Sequence, residues 1–109
     1  MYLRAPRAGP GRPGIDALLI GTNDLCFELG IPGKFDDSRV VDAYAKLVAA
    51  CRKHSKAPGM GGVSTPELFE RYIGMGVRLV LAGSDFALLM QAASARANLV
   101  RGYSGLKPD

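Results

Sequence analysis

From Ile15 onward the chain alternates between short apolar runs and longer stretches with a helical repeat. "IDALLIG" (15–21) has strand length and is apolar on both sides, the pattern of a parallel strand covered on both faces. A loop marked by Gly30, Pro32 and Gly33 follows. "DDSRVVDAYAKLVAACRKHSK" then sets Val40, Tyr44, Leu47, Val48 and Cys51 on one helical face. Asp37 suits its N-cap, and Arg52, Lys53 and Lys56 lie near its C-terminus, where the helix dipole favours cations. "APGMGGV" (57–63) reads as a second strand with an exposed end. In "STPELFERYIGMG", Ser64 and Glu67 have capping-box spacing, Pro66 fits the first turn, and Leu68, Phe69, Tyr72 and Ile73 form the apolar stripe. "VRLVLAG" (77–83) is the third strand. "SDFALLMQAASARANLVRGY" is the last helix, with Phe86, Leu89, Ala93, Ala97 and Val100 on one side.

The order β-loop-α-β-α-β-α is that of three successive βα units, an α/β class with a parallel sheet. A complete (β/α)₈ barrel takes about 250 residues. The chain has 109, so it reads as the C-terminal three-eighths of such a TIM barrel, truncated at its start. Residues 1–13 are rich in Gly, Pro and Arg without any period and read as a disordered or non-native leader, with 14–109 as the barrel part.

Charge changes this picture little. The net charge is +4, but residues 1–13 carry Arg4, Arg7 and Arg12 and no acid, leaving 11 basic against 10 acidic residues in the remainder. The folded part is nearly neutral and has no basic face with interleaved aromatics, which argues against nucleic acid as a partner. No apolar run approaches the roughly 20 residues that span a bilayer, and no signal-peptide core precedes the first strand. Cys26 and Cys51 stand far apart with no CxxC, and the chain has one histidine, so free thiols in a cytoplasmic protein are expected rather than a zinc site.

In parallel α/β proteins chemistry gathers just beyond the C-terminal ends of the strands. Three such ends are visible: Gly21-Thr22-Asn23-Asp24, Gly59-Met60-Gly61-Gly62 and Gly83-Ser84-Asp85. Asp24 reads two ways, as the N-cap of a short helical turn through Leu25–Leu29 or as a metal ligand at a barrel mouth. Asp85, with Ser84 as cap, reads as the N-terminal carboxylate of the last helix. "GMGG" lacks the lysine of a phosphate loop, so its glycines point instead to close approach by a substrate or a neighbouring strand. His54 ends a charged helix and faces solvent; Cys26 has no neighbour that would activate a thiolate and is assigned to packing.

The stretch from about Gly14 to Ala97 resembles the C-terminal part of the HpcH/HpaI aldolase/citrate lyase family, metal-dependent 2-oxo acid aldolases on a (β/α)₈ barrel. The resemblance rests on "IG-x-x-DL" (Ile20 to Leu25), "SKAPG" (Ser55 to Gly59) where the family has "GKAPG", and "GSD" (Gly83 to Asp85), in order and at matching intervals. It implies a lyase that cleaves a hydroxylated 2-oxo acid to pyruvate and an aldehyde through a metal-stabilised enolate. Asp24 would be one of two carboxylates holding Mg²⁺, Mn²⁺ or Co²⁺. Gly21, Thr22, Asn23 and Asp24 would bind the substrate carboxylate, with Met60 and Gly61 along the wall. The family's second metal-binding glutamate would fall at about residue 1 or before, yet the first glutamate here is Glu28. Its catalytic histidine and substrate-binding arginine come from still earlier strands. The resemblance further implies a trimer or hexamer, with residues 84–101 exchanged between subunits. The alternative is an inactive barrel fragment that only associates with other chains.

Overall fold

A computed structural model describes residues 11–103 and 105. Most of the expected leader, residues 1–10, lies outside them. The elements are β1 (Ala17–Gly21), α1 (Thr22–Glu28), α2 (Ser38–Lys53), β2 (Ala57–Gly61), α3 (Pro66–Met75), β3 (Leu79–Val80) and α4 (Asp85–Arg101). The strands form one parallel sheet in the order β1-β2-β3. Gly21 pairs with Gly61 at one end of the β1–β2 ladder, so the two strands stop level with each other.

The expected elements form, with three differences. A two-turn helix, α1, continues β1 directly and starts at Thr22, where the sequence offered at most a short helical turn through Leu25–Leu29 ahead of the loop. Helix α3 starts at Pro66 with Thr65 as its N-cap, and no side chain caps it, so the Ser64–Glu67 box is not formed. Strand β3 is only two residues long, although Arg78 and Leu81 donate backbone hydrogen bonds to Pro58 and Met60 at its ends. As anticipated, Asp37 caps α2 by accepting from the Arg39 amide, and Ser84 caps α4 by accepting from Ala87.

The core lies on one face of the sheet. Ile20, Met60 and Val80 share a register row, and Ile20 and Met60 are buried against α2 residues Val40, Tyr44, Leu47, Val48 and Cys51. The rings of Tyr44 and Tyr72 stack with centroids 4.0 Å apart, and the Tyr72 hydroxyl donates to the carbonyl of Phe35. Gly76 closes α3 at φ 124°, and a Cβ there would come within 2.8 Å of Val48, so only glycine lets the chain turn this close to α2.

The other face departs from the expectation of a sheet covered on both sides. Leu19, Gly59 and Leu79 make up the adjacent register row; Leu79 is 41% and Leu81 54% exposed. Helix α4 has no buried residue, and its Phe86, Leu88, Leu89 and Met90 are all exposed. The physical reason is numerical: helices on one side of three strands leave the other side bare. Among the described residues no helix is long and apolar enough to cross a membrane.

This asymmetry has a measurable consequence. Leu47→Ala removes a side chain that is 1% exposed and should cost about 2–4 kcal/mol in urea unfolding. Leu89→Ala, at a position 67% exposed, should change stability by less than about 0.5 kcal/mol. Equal costs would mean that α4 is packed as tightly as α2.

The tyrosine stack gives a pH signature. Burial pushes the Tyr72 phenol up from its ordinary 10.0 to about 12, with Tyr44 acting in the same direction, and burial raises Tyr44 as well. The folded value exceeds the unfolded one, so the stabilisation is intact below pH 10.0 and is lost as pH rises towards about 12. Urea midpoints should decline over that window, and Tyr72→Phe should flatten the decline. Phenolate absorbance appearing for every tyrosine at the ordinary value would contradict it.

Candidate functional site

The candidate site is built where β1 and β2 end side by side. Strand β1 turns into α1 without a linker: Gly21 is the extended N-cap residue and Thr22 the first helical one. Thr22 is fully buried, and its side-chain oxygen lies 2.6 Å from the carbonyl oxygen of Gly61 and 2.8 Å from the hydroxyl of Tyr44. A carbonyl only accepts, so Thr22 donates to Gly61, and Tyr44 in turn donates to Thr22. The result is a directed chain, Tyr44 to Thr22 to Gly61, that joins α2, the end of β1 and the end of β2. Among the described residues no buried side-chain nitrogen or oxygen lacks a partner.

Above this tie the next two residues reach towards glycines. A Cβ on Gly62, whose φ is +80°, would come within 3.0 Å of the Asn23 side-chain nitrogen. A Cβ on Gly21 would meet the Asp24 carboxylate at 3.3 Å. The carboxamide of Asn23 thus lies over the end of β2, and the carboxylate of Asp24 folds back over the end of β1. Both residues are exposed. Asp24 is in the first turn of α1 but is not its cap residue, and α1 has no side-chain cap bond, so the N-cap alternative is not what the fold uses.

The remaining sequence candidates separate into backbone and core. Gly61 lies on the bare face, where a Cβ would touch Leu19 and Leu81 at 3.3 and 3.4 Å. Met60 is fully buried in the core beside Ile20, so it offers only its main chain to the strand ends. Asp85, at the third strand end, accepts from the Phe86 amide and stays at the start of α4. His54 is the C-cap residue of α2 and lies next to Gly11, ahead of β2 and therefore at the opposite end of that strand from Gly61. Cys26 is buried with its thiol directed at the Lys34 carbonyl, and burial, helped by Asp37, raises its pKa, which keeps it protonated.

Among the described residues no three His, Cys, Asp or Glu side chains come together to hold a metal. One contributor escaped the sequence reading, Tyr44, the hydroxyl beneath Thr22; Gly62, the seat of Asn23, was named only as part of the second strand end. A tyrosine in a stripe otherwise made of Val, Leu and Cys was the available signal for it.

Known proteins resemble this chain in sequence and in fold. No family model matches the chain. It is 39% identical over 82 residues to a 4-hydroxy-4-methyl-2-oxoglutarate aldolase of Chaetomium globosum, covering 73% of this chain and 30% of the relative. It is 40% identical over 86 residues to a 4-hydroxy-2-oxovalerate aldolase of Rhodococcus jostii, covering 77% and 32%. A crystal structure of an HpcH/HpaI aldolase/citrate lyase family protein from Burkholderia cenocepacia J2315 superposes with a TM-score of 0.76 at 28% identity, covering 85% of this chain and 36% of that one. An HpcH/HpaI aldolase from Desulfitobacterium hafniense DCB-2 gives the same TM-score at 22% identity, covering 91% and 38%, a likeness of fold. The chain thus spans about a third of the length of the curated relatives it matches. By this sequence identity and this shared α/β architecture, the chain is similar to a portion, about a third, of HpcH/HpaI-type aldolases.

Proposed function

We propose that this chain is part of a carbon–carbon lyase that cleaves a 4-hydroxy-2-oxo acid to pyruvate and an aldehyde. The observation that carries the reading is the strand-end arrangement itself, Asn23 over Gly62 and Asp24 over Gly21, in a chain similar to these aldolases. Three parallel strands with one bare face support its placement as three βα units, the C-terminal part, of a (β/α)₈ barrel. An α4 without buried residues supports assembly into a trimer or hexamer through residues 84–101.

In the reaction the bond between C3 and C4 of the substrate breaks. Its electron pair goes to C3 and forms the enolate of pyruvate, while the C4 hydroxyl loses its proton as the aldehyde forms. A proton then adds at C3. The residues here serve binding and orientation. The main-chain N–H groups at Asn23 and Asp24, with the Asn23 carboxamide, meet the substrate carboxylate; Gly21, Gly61 and Gly62 leave room for it to approach. Leu19 and Leu81 flank Gly61 as an apolar wall against the carbon chain. Thr22 and the Met60 main chain take part from below.

Asp24 is the sort of hard oxygen ligand that Mg²⁺, Mn²⁺ or Co²⁺ takes. Among the described residues no group of three His, Cys, Asp or Glu side chains forms around it, so by themselves they do not make a divalent-cation site. No step is assigned to an ion on these residues. The same observation favours a second reading, in which the chain is an inactive barrel fragment that keeps the carboxylate-binding turn and associates with other chains.

Pyruvate release from 4-hydroxy-2-oxovalerate, followed with Mn²⁺ supplied, separates the readings. Under the lyase reading turnover falls by about a hundredfold in Asp24→Ala. Turnover indifferent to that change would remove Asp24 from the mechanism. Pyruvate binding without any turnover would select the second reading.

A further inference from the structure

A hydroxyl that is wholly buried, donates to one partner and accepts from another is fixed in direction, because rotating it breaks a bond that no water can replace. Thr22 meets that description, and the partners lie on different elements: the Gly61 carbonyl on β2 and the Tyr44 hydroxyl on α2. The two residues after Thr22 are the ones whose side chains cross the strand ends. The residue after Gly61 is the one against which Asn23 packs, so closely that a Cβ there would sit 3.0 Å from the Asn23 side-chain nitrogen. One residue back from the Asn23–Asp24 turn and from Gly62, where the β1–β2 ladder ends at Gly21 and Gly61, a side-chain bond of 2.6 Å adds to the backbone pairing in holding the two strand ends together.

The geometry points to Thr22 and Tyr44 as positioning residues: Tyr44 orients the Thr22 hydroxyl, and Thr22 ties the end of β1 to the end of β2 so that Asn23 and Asp24 face the substrate at a fixed separation from Gly62. Neither side chain touches substrate in this arrangement, since both are fully buried. The inference rests on the reading of these strand ends as the place where the 2-oxo acid carboxylate binds. Valine in place of Thr22 keeps the branched shape but leaves the Gly61 carbonyl and the Tyr44 hydroxyl unpaired in the core. Serine keeps the hydroxyl. Phenylalanine in place of Tyr44 removes only the upstream donor and leaves the bond to Gly61.

Hydrogen–deuterium exchange read by mass spectrometry, with and without pyruvate, tests this on the whole chain and does not require a monomer. In Thr22→Val, exchange should speed up on the order of tenfold in peptides covering 17–28 and 57–63, while the α3 peptide 66–76 stays as in the unsubstituted chain. Tyr44→Phe should shift the same two peptides by less, and Thr22→Ser should restore them. The pyruvate concentration that half-protects those peptides should rise about fivefold or more in Thr22→Val and stay put in Thr22→Ser. Val77→Ala, a core change beyond α3 at a position 1% exposed, serves as the comparison for general loosening. Faster exchange spread evenly along the chain, as expected for Val77→Ala, would reduce the pair to ordinary core residues and overturn the inference; so would exchange unchanged in both Thr22→Val and Tyr44→Phe. If Thr22→Val does not fold, Tyr44→Phe against Thr22→Ser decides the matter. Absence of pyruvate protection in the unsubstituted chain would instead remove the carboxylate-binding reading, and the exchange pattern alone would then decide whether the tie exists.

Discussion

Thr22 has one hydroxyl proton and gives it to the carbonyl of Gly61, and that commitment organises the strand ends. Because the proton is committed, Tyr44 must supply the second bond, which fixes a large side chain of α2 against β1. Because Tyr44 is fixed, its ring offers a flat face on which Tyr72 of α3 stacks. Tyr72 then reaches the Phe35 carbonyl in the loop before α2. A continuous set of contacts thus runs from the tip of β2 through α2 to α3, with Thr22, Tyr44 and Tyr72 all fully buried. In that low-dielectric setting each hydrogen bond is hard to replace, so the set acts as a unit.

This arrangement explains how so little regular structure can hold an exposed pair of polar residues in place. Asn23 and Asp24 lie on a seven-residue helix that would not persist in water on its own. Its first residue is anchored to β2, and Cys26 and Ile31 bury its far end in the core. A turn held at both ends needs no capping side chain, and α1 has none. The glycines at 21 and 62 complete the design by leaving space where any other residue would push Asp24 or Asn23 aside.

Much of the covered half of the fold was legible in the sequence, because it follows from periodicity. The α2 stripe of Val40, Tyr44, Leu47, Val48 and Cys51 is buried as its spacing required, and the Asp37 and Ser84 caps form. The Ser64–Glu67 box did not form because Thr65, one residue later, already has the extended backbone of a cap position and Pro66 fixes the first helical φ. The uniformly apolar strands indicated two covered faces, and only one is covered; apolarity records what a surface requires, not what meets it. For the site, strand-end position and small polar composition pointed to Gly21 through Asp24 and to Gly61. The Thr22–Tyr44 bond was not legible, since it joins residues 22 positions apart whose meeting depends on how α2 packs across the sheet.

The bare face and the site belong to one physical problem. Leu19 and Leu81 flank Gly61 on the side of the sheet that carries no helix. Under the proposed lyase reading, an apolar wall beside a polar strand end serves a small oxo acid only when water is kept from it, because the interactions that stabilise an enolate weaken in bulk solvent. The surface that would exclude water there is the surface that would cover Leu19, Leu79 and Leu81. Covering the bare face and carrying out the proposed chemistry therefore call for the same surface. The strand-end tie is the part of that machinery that needs no covering, since its bonds all lie beneath the sheet, between β1, β2 and α2.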